Sequence, residues 1–261
     1  MTPCAPATPL DDFEETRLLD GRVICYQPRK GYRSAIDPVL MQAAVQAAPG
    51  DRVLDLGCGA GAAALSLAAR VPGVIVDGLD LQPILIAAAA AGAVASGLAD
   101  RAAFFEGDML DLPDPVRTGG YDHVIANPPF ERAGTVRPSP DPVKAAATVE
   151  GQAKLVDWIA SAMALVRPGG TVTFIHRGDR LEELAASLAA AGTVAILPLL
   201  ARDGDPAPVR GIVKARAGAA GGVTRIAPLV LHETIGNYTS RADRLLRGGE
   251  LDDFHAAPGA T

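Results

Sequence analysis

The sequence predicts a doubly wound α/β domain: a mostly parallel seven-stranded sheet with one antiparallel strand, helices on both faces, and a short hairpin-helix extension in front. Three observations carry this. From Arg52 onward, short β-like runs alternate with helix-like stretches, the order that builds a parallel sheet flanked by helices. Of the 261 residues 49% are hydrophobic but only 4% aromatic, an Ala-rich balance that excludes a disordered chain and favours helices over an all-β sandwich. The first strand of the series also runs directly into three glycines and a helix.

In chain order, residues 1–15 are rich in proline and acids and are expected to be a flexible tail. Residues 16–27 alternate in polarity around Asp20-Gly21, a β-hairpin signal. A helix is expected over 36–48, with Val39, Leu40, Ala43, Ala44 and Ala47 on one side and a stop at Pro49-Gly50. Strands are expected over 53–56, 74–79, 102–105, 123–126, 171–175 and 194–199. Helices are expected over 60–69, 83–95 (with proline at its first position), 152–166 and 180–191. The run 209–215 follows no helix and should return antiparallel, and 217–222 reads as a flexible break. One domain over 16–247, its extension being 16–49, and a second acidic tail over 248–261 complete the organisation.

Charge and cysteine usage bound the function. The net charge is −6, but residues 1–15 hold four acids and residues 248–261 three, neither with a Lys or Arg, so residues 16–247 sum to about +1. Such a body is compatible with a local basic patch and does not predict one. The longest apolar run, 83–95, is shorter than the roughly 18 residues a membrane span needs. Cys4, Cys25 and Cys58 have neither disulfide nor zinc spacing, and the first 15 residues lack the regions of a secretory signal. A cytoplasmic globular protein with no membrane partner and no metal is the expectation.

Val53-Leu-Asp-Leu-Gly-Cys-Gly-Ala-Gly61 is the decisive segment. Glycine is needed where a strand turns sharply into a helix and backbone must lie against a ligand, which points to Gly57, Gly59 and Gly61. Asp80, followed by Leu81, ends the next strand, where a carboxylate can accept both hydroxyls of an adenosine ribose. A dinucleotide fits loosely, since position 62 is Ala. Two acids favour S-adenosylmethionine instead. Asp55 can serve a cationic amino acid moiety, and Asp108, followed by Met109, can accept from an adenine amino group. The alternative for Asp108 is a turn or helix cap. D-L-G-C-G-A-G with these acids resembles the class I methyltransferases over about residues 50–200, which implies a Rossmann-like fold and S-adenosylmethionine as cofactor.

After the fourth strand comes Asn127-Pro128-Pro129-Phe130. Two prolines fix the backbone and remove two N–H donors, leaving carbonyls free. The Asn127 side-chain oxygen and the Pro128 carbonyl can both accept from one planar NH2 group, and Phe130 offers a face for stacking a flat base or amide. Holding both hydrogens draws the nitrogen toward tetrahedral geometry and frees its lone pair, so neither a metal nor a strong base is required. N-P-P-[FY] resembles the motif of methyltransferases acting on adenine N6 or on glutamine side chains.

Further stretches narrow the resemblance. Gln27-Pro-Arg-Lys-Gly-Tyr-Arg-Ser-Ala-Ile-Asp-Pro-Val-Leu40, Ala145-Ala-Ala, Trp158, Arg167-Pro-Gly-Gly170, Phe174-Ile-His-Arg177 and Leu231-His-Glu-x-x-Gly-x-Tyr-Thr239 together look like the bacterial valine-tRNA adenine-37 N6-methyltransferases, over most of residues 16–247. The resemblance implies a tRNA partner with an anticodon-loop adenine as acceptor. The chain departs from that family in its few lysines and its acidic tails. Arg29, Lys30 and Arg33, interleaved with Tyr26 and Tyr32, form a basic-aromatic cluster, and Arg132 follows the tetrapeptide. Each of these charges is equally a solvated surface group. His176 reads first as structural, and Cys58 as a small residue in the loop. Two other functions remain open. One is a glutamine N5-methyltransferase acting on a protein such as a release factor, whose family carries a helical domain before the cofactor loop. The other is a non-catalytic cofactor-binding RNA module.

Overall fold

The computed structural model describes residues 10–29, 36–131, 151–218, 220–234 and 236–254. A hairpin of β1 (Phe13–Leu18) and β2 (Val23–Pro28) leads to α1 (Asp37–Ala43). The expected alternation follows: β3 (Arg52–Leu56), α2 (Ala62–Arg70), β4 (Ile75–Asp80), α3 (Pro83–Ala95), β5 (Ala102–Glu106), α4 (Asp114–Arg117), β6 (Tyr121–Ala126), α5 (Leu155–Leu165), β7 (Val166–Arg177), α6 (Leu181–Ala189), β8 (Gly192–Arg202) and β9 (Arg210–Ala217). Three short strands, β10 (Val223–Arg225), β11 (Leu229–Thr234) and β12 (Asn237–Tyr238), precede α7 (Ser240–Leu246).

The main sheet runs β12-β11-β8-β9-β7-β6-β3-β4-β5, with β10 also on β8. Its seven-strand body is the arrangement expected, and β9 is antiparallel between β7 and β8. The sheet then continues: β10 and β11 add parallel to β8, and β12 turns back on β11, for ten strands in all. These additions are two to six residues long, too short to show a period in the sequence. β3, β4 and β6 are central and parallel, and residues such as Val53, Leu54, Val76, Val124 and Ile125 are fully buried, as a strand covered on both faces requires. Their carboxyl ends open on one edge of the sheet, where ligands of such folds gather.

Three expectations need correction. The tail assigned to 1–15 is shorter, because Phe13 is buried and residues 13–15 pair with β2; the consecutive acids Glu14 and Glu15 hid the strand. The acidic tail assigned to 248–261 is docked at least to Phe254, with Leu251 and Phe254 buried and Glu250 paired to Arg70. The helix expected over 36–48 ends at Ala43. The carbonyls at its end and just past it also take distant donors. Arg70 bonds Gln42 O at 2.9 Å and Val45 O at 2.5 Å, Leu251 N bonds Ala43 O at 2.8 Å, and Lys214 Nζ bonds Ala44 O at 3.0 Å.

The hairpin is held against the domain by a close approach to α3. A Cβ on Gly92 would lie 2.8 Å from the carbonyl oxygen of Ile24, and Ser96 Oγ accepts from Ile24 N at 2.8 Å. Val23, Cys25 and Gln27 share the buried face of β2, so Gln27 is carried inward toward the open edge of the sheet.

Candidate active site

The three glycines of the loop all have positive φ, but each answers a different need. Gly57 lies under the Trp158 ring, where a Cβ would come within 2.7 Å of Cζ3. Gly59 faces open space, and its N–H donates to Asp80 Oδ2 at 2.9 Å. Gly61 starts α2 and meets Ala89 and Phe104, where a Cβ would sit 3.0 and 3.1 Å away. Gly57 and Gly59 line a cavity of about 490 Å³; Gly61 does not, so its role is packing rather than ligand contact. That volume is in the range of a small-molecule site.

Asp55, Asp80 and Asp108 all line this cavity, as do Leu81, which is 64% exposed, and the buried Met109. Asp80 accepts from Gly59 N and Gln82 N, both at 2.9 Å, one on each carboxylate oxygen. Each oxygen keeps a further acceptor site for a hydroxyl. Burial raises its carboxyl above the usual carboxylate range. Asp55, from the carboxyl end of β3, accepts from Ala64 N at 3.1 Å in the first turn of α2. It therefore caps that helix as well as facing the cavity. Burial, opposed by that N–H and aided by nearby Asp80, pushes its carboxyl up to about 7. Asp108 accepts from Leu110 N at 2.8 Å, the turn role weighed against ligand binding, yet it remains on the cavity wall.

Asn127 follows β6, and since Ala126 pairs with Leu56, it stands next to Gly57. Its Oδ1 is buried and lacks a hydrogen-bond partner, and the residue lines the same cavity. Pro129 lines the cavity too, while Pro128 is buried. Phe130 departs from expectation. It does not line the cavity, and the Arg210 guanidinium lies over its ring, 4.5 Å from the centroid, with the His176 ring at 5.2 Å. A planar cation stacks well on an aromatic face, so the surface expected to be free for an acceptor is already covered on one side. His176 is fully buried, accepts from Arg177 N through Nδ1 at 2.8 Å, and burial lowers its imidazole to about 4, so it is neutral.

Of the expected acceptor-binding residues, Arg29 is exposed and does not line the cavity, its side chain donating to Asp11 O at 3.4 Å. Lys30, Arg33 and Arg132 lie outside the described residues, as does the Ala145 run. Cys58 lines the cavity, but burial and the neighbouring carboxylates push its thiol well up, which disfavours the thiolate. Among the described residues no cluster of His, Cys, Asp and Glu could hold a metal.

Sequence reasoning missed the wall that the extension supplies. Gln27 and Pro28 from β2 and Pro38 and Met41 from α1 line the cavity, and the Gln27 Oε1 is buried without a partner. The signal was present: Gln27 is the polar member of the inward series Val23, Cys25, Gln27.

The lining holds three carboxylates and no Lys or Arg among the described residues. That set suits a ligand rich in N–H and O–H donors and positive charge, as S-adenosylmethionine is with its ribose, amino groups and sulfonium. It offers no side-chain cation to a pyrophosphate. Residues 37–141 match the methyltransferase small domain. The chain is 35% identical over 133 residues to the tRNA1(Val) (adenine(37)-N6)-methyltransferase of Porphyromonas gingivalis, covering 50% of this chain and 51% of that one. It is 30% identical over 155 residues to the release factor glutamine methyltransferase of Moorella thermoacetica, covering 56% and 54%. The chain thus spans about half the length of the curated relatives it matches. The crystal structure of a predicted O-methyltransferase, Atu636 from Agrobacterium tumefaciens, superposes with a TM-score of 0.67 at 26% identity, covering 82% of this chain and 98% of that one.

Proposed function

We propose that this chain, whose residues 37–141 belong to the methyltransferase small domain family and whose cofactor is S-adenosylmethionine, methylates an exocyclic amino nitrogen, adenine N6 of a tRNA. The observation that carries the reading is Asn127, whose buried Oδ1 has no partner, lining one cavity with Asp55, Asp80 and Asp108. A buried acceptor without a donor is costly, so its partner is expected from a ligand.

When bound, the cofactor supplies a methyl group on a positively charged sulfur, which needs no further activation. Asp80 would accept from the ribose hydroxyls, Asp108 from the adenine amino group and Asp55 from the ammonium. Asn127 Oδ1 and the carbonyl of Pro128 would take the two hydrogens of the acceptor NH2, orienting its lone pair. The work of the protein is alignment of nitrogen, methyl and sulfur. Phe130, one face of which is covered by Arg210, would offer its other face to the flat acceptor.

The tRNA reading rests on the likeness to the Porphyromonas protein and on the sequence motifs that flank the domain. A base in an anticodon loop is already partly unstacked, so bringing it to the tetrapeptide costs little. Such an enzyme would act in the cytoplasm. Glutamine N5 of a release factor is the second reading, favoured by the likeness to the Moorella protein.

The test is a competition. Labelled cofactor is incubated with tRNA from a strain lacking the gene and, separately, with unmodified release factors. N6-methyladenosine in the tRNA digest is the expected product. Label found only as methylglutamine would overturn the tRNA assignment in favour of the second reading.

A further inference from the structure

The sheet fixes the first end of Asn127-Pro128-Pro129-Phe130: Ala126, just before it, pairs with Leu56 on β3 and with Phe174 on β7. Residues 128 and 129 are prolines, so the chain there can donate no backbone hydrogen bond. The far end is held by side chains from the adjoining ends of β7 and β9. Consecutive residues of β7 meet consecutive residues of the loop. The His176 ring lies 5.2 Å from the Phe130 ring at a tilt of 57°, and Arg177 Nη1 donates to Glu131 Oε1 at 2.6 Å. Arg210, which covers Phe130, pairs with Arg177 across the two strands.

Arg177 is oriented within its own turn. Its Nε and Nη2 donate to the two carboxylate oxygens of Asp179, each at 3.0 Å, and its backbone N–H donates to His176 Nδ1 at 2.8 Å. The guanidinium does not need Glu131 to hold its direction. The 2.6 Å bond therefore places Glu131, and with it the end of the tetrapeptide. Side chains exposed by 33% and 36% gain little stability from such a pair.

We infer that the Glu131–Arg177 ion pair is a tether that sets the tetrapeptide in register with the acceptor amino group, making Glu131 and Arg177 positioning residues for methyl transfer. This rests on the assignment of the tetrapeptide to the acceptor and deepens it. Neither residue lines the cavity, so neither is assigned to the cofactor. Near a reacting centre, a displacement of about 1 Å can cost as much as 10²-fold in rate.

The test is a double-mutant cycle on the full chain with Glu131→Gln, Arg177→Gln and the pair together. Methyl transfer is measured to tRNA from a strain lacking the gene and to unmodified release factor, with calorimetry on S-adenosylhomocysteine in parallel. Each single variant is expected to lower kcat about 5–50-fold, with cofactor Kd within about twofold and melting temperature within about 2 °C of wild type. The double variant should be no slower than the slower single one, because one tether is lost in all three. Glu131→Gln separates positioning from simple attraction of RNA. It removes a negative charge, which on attraction alone would leave turnover intact and lower the KM for tRNA. Unchanged kcat in Glu131→Gln, losses that multiply in the double variant, or a loss of cofactor affinity as large as the loss of rate would each overturn the inference while leaving the acceptor assignment standing. Transfer to neither acceptor by the wild type would remove that assignment and the inference together.

Discussion

Arg210 covers one face of Phe130, its guanidinium carbon 4.5 Å from the ring centroid, and Asp37 holds it there through a 3.1 Å ion pair. Phe130 ends the Asn127–Phe130 tetrapeptide, Arg210 opens β9, and Asp37 opens α1, so three distant segments meet beside the cavity. A half-exposed stack of this kind is worth about 0.5–1 kcal/mol. Arg210→Ala is therefore expected to weaken turnover or raise the acceptor KM about 2–5-fold, leaving cofactor affinity unchanged. Steady-state kinetics beside calorimetry checks it. Arg210→Lys should not rescue, because an ammonium cannot reproduce a planar stack.

Asp80 is expected to govern cofactor affinity. Asp80→Ala removes a charged acceptor worth roughly 1.5–3 kcal/mol per bond and strands the Gly59 and Gln82 N–H groups. The cofactor Kd should rise at least about tenfold. Much of the maximal rate should return at saturating cofactor, which a rate titration reads directly.

The glycine loop gives a graded series. Gly57→Ala places a methyl against the Trp158 ring, and both cofactor binding and thermal stability should fall. Gly59→Ala meets open space, so its cost is the left-handed backbone, roughly 1–2 kcal/mol. Melting curves should rank Gly57→Ala below Gly59→Ala; the reverse order would contradict the packing described.

Asp55 makes both stability and binding depend on pH. Its folded carboxyl, near 7, lies above its ordinary value of 3.8, so the folded chain holds that proton more tightly than the unfolded one. Its contribution to stability is thus fully present below about 4 and is lost as pH rises toward 7. Ligand binding runs the other way. If the carboxylate accepts from an ammonium, affinity rises with pH through about 7, and binding at pH 6 releases a proton. Calorimetry in buffers of different ionisation enthalpy measures that proton, and Asp55→Asn should abolish its release.

Much of this was legible in the sequence because it is local. The strand into Gly57, the acids ending β4 and following β5, and the proline-fixed tetrapeptide each show their place in the fold within a few residues. Helix α3 over Pro83–Ala95 is found where its proline start places it. What the sequence hid is long-range. Arg210 reaches Phe130 from 80 residues away, and Arg70, Lys214 and Leu251 bond the carbonyls at and just past the end of α1. The docked segment through Phe254 looked like a tail because its acids, Glu250 and Asp253, reveal their partners Arg70 and Arg241 only in three dimensions.

The most direct test of the central claim is a pair of measurements on Asn127→Ala: calorimetric affinity for S-adenosylhomocysteine and the single-turnover rate of methyl transfer at saturating cofactor. Asn127 is assigned to the acceptor nitrogen, whose hydrogen bonds to it strengthen as the nitrogen changes geometry. The cofactor Kd is therefore expected to stay within about twofold of wild type, while the rate falls by about 10²-fold or more, as for loss of other transition-state hydrogen bonds. If Asn127→Ala instead loses cofactor binding as fully as Asp80→Ala does, the buried Oδ1 belongs to the cofactor, and its assignment to the acceptor is wrong.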